Sequence, residues 1–379
     1  LRLVGSEMCI RDSLKTHVGE FQMTIAIKLG FLDDAPIVGD DGQLTKHGSG
    51  SNIVERLMKM YPHAVIVGHE NKDCPDFRLR TLDNLDVKST LLINLDVIDS
   101  VGAFQVMHRE GLEPKIMNFQ WLPPSHYHHK VNFAAMGMSY ALFPTLCAGE
   151  RTAGEVVELA RRWMIPPLAH QCRVAWVQPG IRDDLLREHV DPEVPTVLYP
   201  SIHLNDNKQP KVFLDIVSEV AEHMPLQMEA RLGQRDLASV LAMKMSSPTW
   251  AQVGPLFGER EEYWEALART TAFLATAKDE AYGFEYMEAL LAGVVGVLPR
   301  AKWSSDIVPE TYPYLYDNSR HAVALLEEVL TDPKAARAKI DESAGGPISE
   351  WILGHHRRSG GNEAIANQIS DWFPEISAD

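Results

Sequence analysis

From Met23 onward, short apolar runs alternate with longer segments whose apolar residues recur at helical spacing. In the first half the strand-like runs are 23-MTIAIKLG-30, 64-AVIVGH-69, 91-LLINLDV-97, 115-KIMNFQW-121, 140-YALFPT-145 and 173-RVAWVQP-179. Between them lie amphipathic stretches such as 51-SNIVERLMKMY-61 and 153-AGEVVELARRWM-164. Thr152 before the second stretch, with Glu155 three residues on, has the form of a capping box. The alternation then restarts. Strand-like 196-TVLYPS-201, 226-LQMEARL-232, 270-TTAFLAT-276 and 294-VVGVLP-299 alternate with helical patterns near 210–223, 260–269, 284–292 and 319–331. Such a pattern predicts an α/β chain of two doubly wound Rossmann-like domains facing each other across a cleft. Ligands of such sheets bind beyond the carboxyl ends of the strands.

The charged, proline-bearing segment 182-RDDLLREHVDPEVP-195 lacks a buried strand pattern and marks the domain boundary. It divides the chain into an N-terminal domain over 23–185 and a C-terminal domain over 186–348. A helical tail over 349–379 is expected to pack back across both. Residues 1–22 form a leader. Within it, 4-VGSEMCIRDS-13 resembles a translated sequencing adapter, and Met23 is a plausible natural start.

Composition narrows the function classes. Acidic residues outnumber basic ones by 52 to 36, for a net charge of −16, which disfavours a nucleic-acid binder or attachment to anionic lipid by charge alone. Four scattered cysteines form no CxxC pair and fit a reducing cytoplasm. The longest apolar run, 289-ALLAGVVGVLP-299, is too short to span a bilayer, and no secretion signal is expected from the first residues of the sequence.

The chemistry concentrates in 271-TAFLATAKDEAYGFEYMEALLAGVVGVLP-299, which has the order strand, loop, helix, strand. Gly283 permits a tight turn, and a helix starting near Phe284 turns its free N–H groups to the cleft, an end suited to phosphate. Helical side chains lean toward the N-terminus, so Glu288 can reach back over the helix start while Glu280 sits in the preceding loop. A diphosphate at the helix end, a ribose against Glu288 and a hexose against Glu280 are geometrically consistent. Elsewhere, Gly48, Ser49 and Gly50 precede a helix, either as a loop approaching a diphosphate or acceptor or as an ordinary cap. The cluster 126-HYHHK-130 lacks the further ligands a metal site needs, and no metal is expected. Asp33-Asp34 and Asp40-Asp41 suit solvated turns.

The run Glu280-Ala-Tyr-Gly-Phe-Glu-Tyr-Met-Glu288, followed by Ala289-Leu-Leu-Ala-Gly293, resembles the donor-site signature of retaining GT-B glycosyltransferases of the family 4 type. Ala281 and Tyr282 depart from the family's Gly and Phe. The runs 173-RVAWVQPGI-181 and 196-TVLYPSIHLNDNKQPKVFLDIV-217 resemble the close of the N-terminal domain and the opening strand, phosphate loop and helix of the donor domain. By this resemblance Glu280 contacts the donor sugar, Glu288 holds the ribose and Lys208 binds phosphate. The amides around Gly283 and Phe284 face the sugar and diphosphate, and His126 lies near the sugar. The family's phosphate-loop arginine is missing, with Ser201 or His203 in its neighbourhood. The implied activity is transfer of a sugar from a nucleotide-diphosphate sugar, with retention and without metal or cofactor, to a carbohydrate, lipid-linked or other small acceptor. Attack on the leaving-group face needs no enzyme nucleophile. Competing readings are a nucleotide-sugar epimerase or phosphorolytic enzyme, a GT-B-shaped binding protein without catalysis, and a DNA-base glycosyltransferase.

Overall fold

The computed structural model describes residues 23–29, 38, 42–44, 49–109, 111–127, 129–356 and 358–375. The leader, the early acidic pairs, Gly48 and His128 lie outside the described residues. Strands β1 (Thr24–Lys28), β2 (Val65–Val67), β3 (Lys72–Asp73), β4 (Arg78–Arg80), β5 (Thr90–Asn94), β6 (Lys115–Gln120), β7 (Thr145–Ala148) and β8 (Val174–Val177) form the first sheet. Their order is β3-β4-β2-β1-β5-β6-β7-β8, parallel throughout except for the β3–β4 pair. A second, wholly parallel sheet follows, from β9 (Thr196–Tyr199), β10 (Gln227–Leu232), β11 (Ala251–Pro255), β12 (Ala272–Leu274), β13 (Val295–Pro299) and β14 (Leu315–Tyr316). Its order, β11-β10-β9-β12-β13-β14, reverses direction between β9 and β12. The first sheet reverses likewise between β1 and β5. Both chains of connection are therefore doubly wound.

Burial explains the strand sequences. Ala272, Phe273 and Leu274 are wholly buried, as are Leu91, Leu92 and Ile93, because helices cover both faces of a parallel sheet. The helix Pro210–His223 begins with proline at its first position and buries Phe213, Leu214, Val217 and Val220, an i, i+1, i+4, i+7 stripe. One core forms around the second sheet and three smaller ones around the first. The tail joins the two: Ile352 packs into the second core, whereas Ile365, Ile369 and Phe373 pack into the first. Gly361 makes that crossing possible, since a Cβ there would lie 2.6 Å from the Gln178 carbonyl oxygen.

Two local readings need correction. The run 140–145 is not a strand; its first residues end the helix Lys130–Leu142, and the strand starts at Thr145. Met136, Gly137 and Tyr140 share that helix's buried face, so an apolar run that looked extended is helical. The capping box also fails. The next helix begins at Glu150, capped by Gly149 at φ +106°, which places Thr152 inside its first turn. Glu155 instead accepts from the Ser125 backbone N–H at 2.9 Å and from Arg151 Nε at 3.1 Å.

Candidate functional site

Strands β9 and β12 are neighbours at the point where the second sheet reverses, so the loops leaving their carboxyl ends diverge around a crevice. The β9 loop carries Lys208 and the β12 loop carries Glu280. Asn207 clips the loops together: its side chain donates to the Asp279 carbonyl at 2.7 Å and accepts from the Asp279 N–H at 3.1 Å. Thr276 Oγ1 donates to the Lys208 carbonyl at 2.7 Å. Next to Lys208, Gln209 holds a left-handed conformation at φ 47°, the one such non-glycine among the described residues. That strain is tolerated because both sides of the loop are fixed.

Lys208 Nζ lies 2.5 Å from Glu280 Oε1 and 2.7 Å from Glu285 Oε1. Burial alone lowers the pKa of the ammonium, but Glu285 and Glu280 together raise it above its ordinary value. Tyr286 donates a hydroxyl hydrogen bond of 2.7 Å to the same Glu280 oxygen. Burial first, then repulsion from Glu285, push the Glu280 carboxyl up to about 7 against the pull of Lys208.

The helix Phe284–Leu291 starts immediately beyond, capped by Gly283 at φ +73°. The backbone conformation favours glycine there, and a Cβ on Gly283 would also lie 2.3 Å from the tip of the Ile307 side chain, which would have to move. Phe284 packs on Tyr282 with ring centroids 4.5 Å apart. Glu288 is buried in the second turn, 2.5 Å from Arg260 Nη2, and accepts from the Tyr263 hydroxyl. Burial raises its pKa, with Arg260 opposing.

The first domain reaches this site directly. Arg151, two residues after the Gly149 cap that follows β7, donates 2.6 and 2.5 Å hydrogen bonds to the two Asp279 oxygens and a third, 3.1 Å, to the Glu280 carbonyl. Burial works against the Asp279 carboxylate, yet Arg151 and then His126 hold its pKa below the ordinary value. His126 Nε2 lies 3.5 Å from Asp279 Oδ2 without hydrogen-bond alignment, which leaves that buried nitrogen unpaired. Burial lowers the imidazole pKa, Asp279 opposes and Arg151 adds to the lowering. The segment just before the domain boundary is tied too, with the Gly180 N–H donating 3.1 Å to the Tyr282 hydroxyl, itself 3.0 Å from His356 Nδ1.

Glu280, Lys208, Gly283, Phe284 and Glu288 therefore converge, with His126 facing them from the first domain. Other expected residues stand apart. Ser201 Oγ accepts from the His203 N–H at 3.1 Å, and the His203 ring lies 3.2 Å from Asp236, so these two form a local turn instead of reaching Lys208. Ser49 and Gly50 do not precede a helix; they open the helix Ser49–Met60, where Gly50 packs against Leu29. Two cations beside the site, Arg151 at the Glu280 carbonyl and Arg260 at the Glu288 carboxylate, were not anticipated, nor were Asp279, Glu285, Tyr286 and Asn207. At the first sheet's own reversal, Lys28 pairs with Asp99 at 2.6 Å, and Asp96 Oδ1 is buried without a hydrogen-bond partner. Among the described residues, no group of three or more His, Cys, Asp or Glu could hold a metal ion, and no helix is long and apolar enough to cross a membrane.

No protein-family model matches the sequence, and a search of curated proteins found no relative. Solved structures match closely in fold. A sucrose-phosphate synthase from Thermosynechococcus elongatus is 12% identical, aligned over 93% of this chain and 100% of that one, with a TM-score of 0.66. Anabaena HepE in complex with UDP-glucose is also 12% identical, over 92% and 100% of the two chains, with a TM-score of 0.66. A trehalose-6-phosphate synthase from Burkholderia multivorans is 11% identical, over 93% and 97%, with a TM-score of 0.58. The fold is GT-B: two doubly wound Rossmann-like domains facing one cleft.

Proposed function

We propose that this chain is a family 4-like, retaining glycosyltransferase that moves a sugar from a nucleotide-diphosphate sugar to a small acceptor. One observation carries the reading: Lys208 and Glu280 meet at the start of the Phe284 helix, whose second turn carries the buried Glu288, at the reversal of the second sheet. The diphosphate would meet Lys208 and the helix N–H groups, whose positive end stabilises leaving-group charge without a divalent ion. Glu288 would hold the ribose, and Glu280 would orient the sugar without attacking it. The 186–348 domain would bind the donor and the 23–185 domain the acceptor, carbohydrate or lipid-linked, with closure excluding water. HepE, captured with UDP-glucose, supports a nucleotide sugar as donor. No further cofactor is required by this scheme, and the unpaired Cys74, Cys147 and Cys172 suit a cytoplasmic setting.

A second reading is a nucleotide-sugar-binding protein without turnover. It is favoured by the turn that Ser201 and His203 make where a phosphate-binding arginine would be useful. Assays of nucleoside-diphosphate release, with and without mixed acceptors, separate the two. Transfer with retained anomeric configuration, reduced about a hundredfold by Glu280→Gln in a normally folded protein, is the expected result. Normal turnover in that variant would remove Glu280 from the site, and epimerised donor without acceptor would replace transfer by epimerisation.

A further inference from the structure

The Lys208 ammonium is already matched by two carboxylates, and the two are not equivalent. Glu280 is fixed: its side chain is 10% exposed and tied by Tyr286 as well as Lys208. Glu285 is loose: its side chain is 34% exposed, and Lys208 is its one hydrogen-bond partner among the described residues. It stands in the first turn of the Phe284 helix, where the helix N–H groups would receive an anion. An acidic residue at that position also suits the helix dipole, so Glu285 occupies the electrostatic place of a phosphate.

We propose that Glu285 is a displaceable stand-in for the donor's diphosphate, a residue that sets how tightly this site holds nucleoside diphosphates. The proposal rests on the donor-site reading above. In the empty site Glu285 neutralises Lys208 and keeps it ordered. An entering diphosphate takes over the ammonium and turns Glu285 out toward water, which its exposure permits. Glu280 cannot make the same exchange, because leaving would strip the Tyr286 hydroxyl and Lys208 of their shared acceptor. After transfer, return of Glu285 to Lys208 competes with the nucleoside-diphosphate product and favours its departure. The residue thus trades donor affinity for product release.

The test is calorimetric titration of the full chain with UDP, ADP and GDP in turn, comparing wild type, Glu285→Gln and Glu350→Gln. Glu350 is exposed on a helix of the tail and makes the same change in net charge without pairing with Lys208, whose partners are Glu280 and Glu285. The expected result is binding of one nucleotide on the order of tenfold tighter in Glu285→Gln, with Glu350→Gln unchanged, and a gain that shrinks at high salt. Equal or weaker binding by Glu285→Gln, when wild type binds, overturns the stand-in role and leaves the donor site intact. An equal gain in Glu350→Gln would reduce the effect to net charge and overturn it as well. Binding of none of the three by any of the proteins removes the donor-site reading and this inference with it.

Discussion

Arg151 and Asp279, 128 residues apart, meet across the cleft in a two-pronged ion pair, with N–O distances of 2.6 and 2.5 Å. The arginine comes from the first domain and the aspartate from the loop that carries Glu280. Because Arg151 also donates to the Glu280 carbonyl, the relative setting of the domains and the placement of the site carboxylate are mechanically linked. A guanidinium suits this task better than an ammonium, since its planar fork matches the carboxylate.

Arg151→Ala should therefore loosen the closed arrangement more than it unfolds the protein. Asp279 is about one-third exposed, so solvent screening limits the loss of stability to about 1 kcal/mol. Small-angle scattering should give a larger radius of gyration, and turnover should fall while the melting temperature changes little. Arg151→Lys should recover the charge and only part of the closure. Scattering identical to wild type in both variants would mean that the pair follows closure instead of holding it.

The pH response of stability follows from Glu280. Its folded pKa of about 7 lies above the ordinary carboxyl value, so the folded state binds the proton more tightly than the unfolded chain. The stability this contributes is present at low pH and is lost as pH rises from roughly 4.5 to 7. Removing the titrating group removes that slope. The melting temperature of Glu280→Gln should accordingly fall less than that of wild type between pH 5 and 7.5. Parallel curves for the two proteins would contradict the raised pKa.

Gly283 combines a left-handed φ with Ile307 Cδ1 standing where an added Cβ would meet it at 2.3 Å. Gly283→Ala should cost about 1 to 3 kcal/mol from backbone strain, plus a contribution from the contact with Ile307 Cδ1. Ile307→Val deletes that methyl group. Urea unfolding of Gly283→Ala with Ile307→Val should thus recover the steric part and leave the backbone part. Full additivity of the two single changes would show that the clash relaxes without cost.

What the sequence disclosed, and what it hid, follow a physical division. Two alternating series of strands and helices were legible because parallel strands must be apolar and their helices amphipathic. The Gly283 turn, Glu280 and Glu288 were legible because they lie within one strand–loop–helix unit, where local spacing fixes geometry. Lys208 came from the neighbouring loop of the same sheet. Arg151 was hidden for two reasons. It arrives from the other sheet, which no local pattern encodes, and reading 140–145 as a strand moved the strand's end away from it. Short β3, β4 and β14 carry too few residues to show a period. Ser201 and His203 were placed by proximity in sequence alone, and a tight turn instead spends their polar groups on each other and on Asp236.

A donor site around the Phe284 helix is tested by thermal shift with a panel of nucleotide-diphosphate sugars in the presence of EDTA, on wild type and Glu288→Ala. A ligand that binds only the folded state raises the melting temperature in proportion to its occupancy. One donor should stabilise the wild-type protein with chelator present, and the shift should be much smaller in Glu288→Ala. No shift with any donor, or an equal shift in the variant, would contradict a donor site built around the Phe284 helix.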